Sequence, residues 1–194
     1  MTNSDADSKW NIEAKSLVRT LLRQRRAALG EERKRAAAAA LFLQLLPLLE
    51  NGGAVLSFAS LPEEIDTAQI NAYLEQSGKL LLPKVEGEKL QIYRVSNSAL
   101  QLCQGSMRIQ EPDPTATEIA SLEEVSCILV PGLGFHPSGS RIGYGKGHYD
   151  RLISELRQKA LLPITIGIGF SEQLLDEPLP LEPHDQLLDR LLLA

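Results

Sequence analysis

The sequence predicts an α/β fold: a mostly parallel sheet covered by helices on both faces, with a helical hairpin at the N-terminus. Two observations predict it. Short apolar runs of strand length alternate along the chain with segments of helical period, the pattern of linked β–α–β units. A glycine-rich loop follows one of those runs and precedes a helical segment, the place where open sheets of this kind bind ligands. At 194 residues and 43% hydrophobic content, the chain suits one domain with a substantial core.

Residues 1–8 are polar, and a frayed start is expected there. Ile12, Leu17, Val18, Leu21, Leu22 and Leu29 then recur at helical spacing until Gly30 stops the run. A second helix is predicted over 31–49, opening on acidic residues and ending at Asn51-Gly52-Gly53. AVLSFA at 54–59 reads as a buried strand, and Asp66 as the cap of a helix reaching about residue 76. Strands are expected at 79–82, closed by Pro83, and at 89–95 after a turn at Gly87. A connecting stretch carries Pro112 and Pro114. SCILV at 126–130 is a further buried strand, followed by a glycine loop and a helix with Tyr149, Leu152, Ile153 and Leu156 on one face. Residues 164–170 and 187–193 complete the strand set.

Twenty basic against 25 acidic residues give a net charge of -5, which does not suit a chain built to coat nucleic acid. The charge is nevertheless segregated: residues 9–35 hold nine Lys or Arg and three Glu, a local balance of +6. Cys103 and Cys127 form neither a disulfide framework nor a CxxC metal site, which points to a reducing compartment. No N-terminal apolar h-region is present, and the run at 36–49 is too short to span a bilayer, so a cytoplasmic protein without a membrane partner is expected.

The stretch 131–151, PGLGFHPSGSRIGYGKGHYDR, is the strongest functional signal. Glycines at 139, 143, 145 and 147 let the backbone approach a ligand, while Arg141 and Lys146 add positive charge directly before a helix N-terminus. This suggests a phosphate cradle. It is neither a Walker A loop, since Gly147 follows Lys146, nor a GxGxxG dinucleotide motif. Asp150 falls in the first helical turn, where it either stabilises the dipole or holds a phosphate-bound magnesium; Asp185 and Asp189 are candidate partners. Lys15, Arg19, Arg23 and Arg26 line one stripe of the first helix, a solvated face unless the helix folds back over the loop. His136, His148 and His184 lack metal-ligand spacing, and no GxSxG elbow is present. An isomerase of sugar phosphates, an acyl-CoA-type transferase and an RNA-binding module remain alternatives on these grounds.

The same stretch, continued as PGLGFHPSGSRIGYGKGHYDRLI, resembles the signature of 5-formyltetrahydrofolate cyclo-ligases, also called methenyltetrahydrofolate synthetases. The likeness extends to Lys15-x3-Arg19, SFASLPEEIDT, LLPKV at 81–85, EPDP at 111–114, IGIGFSEQ and PHDQLLD. The resemblance implies a monomer with a three-layer α/β/α fold like that of sugar-phosphate isomerases and CoA transferases. It also implies ATP- and Mg²⁺-dependent closure of 5-formyltetrahydrofolate to 5,10-methenyltetrahydrofolate. By that likeness Lys15, Ser16, Arg19, Arg141, Ile142, Gly143, Tyr144, Gly145, Lys146, Gly147, His148 and Tyr149 would bind ATP. Lys15, Arg141 and Lys146 would serve catalysis, and Asp150 and Asp185 would hold the metal. Ala59, Glu64, Tyr144, Gly145, Lys146, Gly147 and His148 would face the folate. Two residues depart from the family pattern: His136 stands where Asp is common, and His148 where Tyr is commonest.

Overall fold

A computed structural model describes residues 3–105, 109–179 and 181–194. The chain opens with α1 (Asn3–Ala27) and α2 (Glu31–Asn51), joined by a three-residue link. Glu31 and Glu32 sit in the first turn of α2, where the helix dipole favours negative charge, and Ala37, Leu41, Leu45 and Leu49 form its buried stripe. Pro47 is accommodated within the helix.

Strand β1 (Ala54–Leu56) leads through a long loop to α3 (Ala68–Gln76) and then to β2 (Leu80–Glu86) and β3 (Lys89–Arg94). Asp66 does take up an orphan helical amide, accepting from Ala68 N at 2.8 Å, although Thr67 is the residue at the cap position. Strand β2 does not stop at Pro83 as expected. It pairs with β1 only at Leu80 and Leu81, so its missing N–H at Pro83 breaks no inner ladder, and Pro83 still lies opposite Ile92 of β3. The connecting stretch holds more structure than its sequence suggests: α4 (Ser98–Gln101), β4 (Leu102–Gln104), β5 (Gln110–Pro112) and β6 (Glu118–Ile119).

After β7 (Val125–Val130) come two short strands, β8 (Gly134–Phe135) and β9 (Arg141–Ile142), then α5 (His148–Gln158), β10 (Ile164–Gly169) and β11 (Arg190–Leu193). The main sheet has the order β11-β10-β7-β1-β2-β3-β6. The first five of these are mutually parallel, and β3 and β6 run antiparallel at one edge. Alternation along the central strands separates two cores. Val55, Leu80, Leu82, Cys127, Leu129, Ile166 and Ile168 pack against α2 and α3, while Leu56, Leu81, Ile128 and Val130 pack against Leu152, Ile153 and Leu156 of α5. The layers are therefore α/β/α, as predicted. A third, smaller cluster of Leu22, Leu133, Ile142 and Leu179 docks α1 onto the glycine loop.

Topology decides where a ligand can enter. From β1 the chain crosses through α3 to β2 on one side, and from β7 it crosses through α5 to β10 on the other, so the carboxyl ends of adjacent β1 and β7 form a switch point. Two loops leave that crevice, residues 57–67 and residues 131–147.

The second loop is anchored by Gly139. Its φ is +87°, its carbonyl accepts from Leu188 N at 2.9 Å, and a Cβ there would lie 2.3 Å from the Leu188 carbonyl oxygen. Both atoms in that clash are backbone or fixed to it, so neither can step aside. Gly139→Ala is expected to destabilise the fold by about 2 kcal/mol or more, read as a lower midpoint in chemical denaturation.

Candidate active site

Helix α1 does fold back over the glycine loop. Lys15 is buried and its Nζ donates to Asp185 Oδ2 at 2.8 Å, with Glu182 Oε2 at 3.5 Å. One turn on, Arg19 Nε donates to the Gly143 carbonyl at 3.1 Å. Ser16 points outward, its carbonyl accepting from the Thr20 hydroxyl. In the loop itself, Arg141 Nη2 pairs with Asp150 Oδ2 at 3.0 Å, the two side chains only 5% and 15% exposed, and Arg141 Nη1 donates to the Gln186 carbonyl. Gln186 N in turn donates to Asp150 Oδ1 at 3.0 Å. One hydrogen-bonded system therefore joins Asp150 to the segment that carries Asp185, and Lys15 and Arg141 stand at its two ends.

Gly147 makes the turn into α5 possible. It caps the helix with φ +64°, where a Cβ-bearing residue is strained, and so presents the first amides of α5 to the same crevice. Lys146, one residue earlier, is exposed, and its ammonium makes no hydrogen bond or ion pair among the described residues. Ile142 is buried against Leu22 and Leu133, holding the loop to α1. Tyr149 is half-buried beside the α5 core, and burial pushes its phenol upward. His148 is held below its ordinary value by burial first, then by Arg151 and Lys146, so it is neutral at neutral pH.

The loop after β1 supplies the opposite wall. Ala59 lies partly exposed at its start, and Glu64 is buried. Glu64 Oε2 accepts from Leu61 N at 2.9 Å, and Oε1 accepts from the Tyr144 hydroxyl at 2.5 Å. Tyr144, Glu64 and the glycine loop are thus brought together across 80 residues. Two open clefts lie along these elements. One of about 740 Å³ runs past His148, Asp150, Arg151, His184 and Gln186. The other, about 470 Å³, is lined by Lys34, Arg35, Ser60, Leu61, Glu64 and Asp66. Both are of ligand size.

Two carboxylates and a cluster of cations at one mouth fit a phosphate-bound Mg²⁺. Such an ion takes hard oxygen ligands and needs only one or two protein carboxylates. Asp185 is pushed up by burial, but the Lys15 ammonium and the Glu182 amide outweigh this and hold it below the usual carboxylate value. It is ionised at any physiological pH. Glu182, His184 and Asp185 also bring ligand atoms within 4.8 Å of one another, though an imidazole suits Zn²⁺ or Cu²⁺ better than Mg²⁺. Asp189 is not part of the site: its Oδ2 accepts from both the amide and the hydroxyl of Thr165, tying β10 to the approach to β11. Reasoning from sequence missed Arg26, which is 2% exposed and donates to the Tyr144 hydroxyl at 2.8 Å. Its place on the Lys15–Arg19 stripe was the available signal.

Fold and site together define an α/β enzyme scaffold with an anion cradle at a sheet switch point. The sequence profile of the 5-formyltetrahydrofolate cyclo-ligase family matches residues 11–194, and the chain belongs to that family. It is 30% identical over 188 residues to the 5-formyltetrahydrofolate cyclo-ligase of Mycolicibacterium smegmatis, covering 92% of this chain and 93% of the relative. The mouse enzyme of the same name is 27% identical over 189 residues, with 92% and 93% coverage. Among solved structures, Aquifex aeolicus 5,10-methenyltetrahydrofolate synthetase superposes with a TM-score of 0.78 at 32% identity, over 91% of this chain and 88% of that one. The Mycoplasma pneumoniae synthetase shares the fold at a TM-score of 0.70 and 21% identity, over 91% and 96%. Among the described residues, no helix is long and apolar enough to cross a membrane.

Burial raises Glu64 above its ordinary 4.5, against the lowering by Tyr144, the Leu61 amide and Arg26. The folded chain therefore holds this proton to a higher pH than the unfolded chain does. The stability it contributes is complete below 4.5 and is lost as pH rises through the folded value. Glu64→Gln should flatten that part of the dependence of Tm on pH, measured by thermal melts between acidic and neutral buffer.

Proposed function

We propose that this chain closes 5-formyltetrahydrofolate to 5,10-methenyltetrahydrofolate in an ATP- and Mg²⁺-dependent reaction, releasing ADP and phosphate. The observation that carries the reading is the convergence of Lys15, Arg19, Arg141 and the α5 N-terminus on one crevice that also holds Asp150 and Asp185, with Lys146 exposed one residue before that N-terminus. A triphosphate with its counterion needs such a set of cations and carboxylates. The basic stripe of α1 is turned inward onto Asp185, Gly143 and Tyr144, which does not suit a helix that docks on RNA.

A formamide carbon is a poor electrophile because its nitrogen feeds the carbonyl. Transfer of the γ-phosphoryl group to the formyl oxygen breaks the bond to ADP, forms a leaving group and leaves an iminium carbon. The folate N10 then attacks that carbon and closes the ring, N10 gives its proton to solvent, and phosphate departs to leave the methenyl cation. The attack is intramolecular, so positioning supplies much of the acceleration, and phosphoryl transfer itself chiefly requires alignment and charge neutralisation. Arg141 and Lys146 would neutralise the transferring group, while Lys15 and Arg19 hold the chain of phosphates. Asp150 and Asp185 would hold the Mg²⁺, which, when bound, offsets charge on the β- and γ-oxygens. Glu64 would accept from the pterin's amino and N–H edge, with the folate in the cleft that Glu64 lines and the nucleotide in the cleft that Asp150 lines.

Purified protein with Mg-ATP and 5-formyltetrahydrofolate should form the methenyl chromophore with one ADP per product; ADP without chromophore, or neither, overturns the reading. Lys146→Ala is expected to lower kcat by about 100-fold while leaving stability within about 0.5 kcal/mol, because its ammonium supports no part of the fold. Glu64→Ala should instead raise the KM for the folate, and an unchanged KM in steady-state assays contradicts its assignment.

A further inference from the structure

Arg26 is the largest buried cation among the described residues, 2% exposed, and the function described above does not use it. Its Nη1 donates to the Tyr144 hydroxyl at 2.8 Å, its guanidinium lies 5.6 Å from the Tyr144 ring centroid, and Nη2 stands 3.5 Å from Glu63 Oε1. The Tyr144 hydroxyl in turn donates to Glu64 Oε1 at 2.5 Å. Three elements far apart in sequence, α1, the loop after β1 and the glycine loop, meet in this one chain of donors. Both Glu64 oxygens are then occupied, one by Tyr144 and one by the Leu61 amide. Behind them the space lined by Arg26, Phe58, Glu64, Ile65, Gly132 and Gln173 is closed, with no room for a water-sized occupant. The Arg26 Nε makes no hydrogen bond there.

We propose that Arg26 is a positioning residue that latches Tyr144 onto Glu64, so the glycine loop is held shut over Glu64 until a ligand donor takes the place of the tyrosine hydroxyl. A hydroxyl that accepts from a guanidinium and donates to a carboxylate mimics the donor edge of a heterocycle, and only one of the two can occupy Oε1. The latch therefore couples loop opening to occupancy of Glu64. The substrate half of this inference rests on the proposed folate reading; the latch itself does not. Because a hydrogen bond to a charged group resists local opening, breaking the latch should raise the open population of the loop by about tenfold or more.

Trypsin reads that population directly, since Lys146-Gly147 is a cleavable bond within the loop. In ligand-free protein, Arg26→Met and Tyr144→Phe should each speed cleavage after Lys146 by about tenfold, and the double variant should be no faster than either single one. Arg26→Lys, which keeps a cation near the hydroxyl, should restore part of the protection. Wild-type protection in Arg26→Met, or single effects that multiply in the double variant, overturns the latch. Where Arg26→Met melts below the assay temperature, Tyr144→Phe carries the test alone, and wild-type protection in it is equally fatal. Activity then separates the two readings: with turnover established, Arg26→Met should lower both kcat and the folate KM, whereas a raised KM with kcat intact would make Arg26 a substrate ligand and not a latch. Loss of loop protection in a protein that never forms the methenyl product would uphold the latch and defeat the functional reading.

Discussion

Pairing of buried charge at the switch point is the constraint on which the rest of the structure depends. Arg141 and Lys15 are each at least nine-tenths withdrawn from solvent, and a cation so placed costs several kcal/mol unless a carboxylate stands beside it. Asp150 meets that need because Gly147 turns α5 so that its first turn faces the loop. Asp185 meets it only if the segment 182–189 crosses the same mouth. Gly139 and Arg157 hold that segment in place, Gly139 accepting from Leu188 N and Arg157 donating to Gln186 Oε1 and the Leu187 carbonyl. Helix, loop and late segment are thus held together by these charge contacts as well as by the apolar packing of Leu152, Ile153, Leu156, Phe135 and Leu188.

The sheet does the separate job of keeping the two walls of the crevice apart in function. The crossover through α3 places the Glu64 loop over one core, and the crossover through α5 places the glycine loop over the other. Glu64, buried and proton-retentive, lines one cleft, while Asp150, paired with Arg141, lines the other, and Asp185, held low by Lys15, sits in the segment between its lining residues His184 and Gln186. Tyr144 reaches Glu64 from the glycine loop. The two environments differ because Glu64 receives a hydroxyl and an amide, whereas Asp185 receives an ammonium.

Much of this was legible in the sequence where period and punctuation agree. The strands at SCILV and 164–170, the two N-terminal helices and the helix after Gly147 fall where apolar spacing puts them, with ends shifted by a few residues. Pro83 misled because a proline ends an inner strand but is tolerated where a strand has lost its inner neighbour, and pairing range cannot be read locally. The two- and three-residue strands between Leu102 and Ile119 carry too few side chains for a period. Spacing also placed Lys15, Arg19 and Arg26 on one stripe. It could not show that the stripe is buried at both ends, since that follows from Leu22 docking against Leu133 and Ile142.

One property of the mouth reaches beyond its own residues. Its buried cations and carboxylates satisfy each other, Lys15 with Asp185 and Arg141 with Asp150. An incoming salt of polyanion and divalent metal would meet a salt of the protein, and the two would exchange ions crosswise. On the proposed reading little net charge would be taken from bulk solvent, so the mouth would act as an internal ion exchanger whose apparent affinity tracks competition between partners more than the field of an acidic molecule with a net charge of -5.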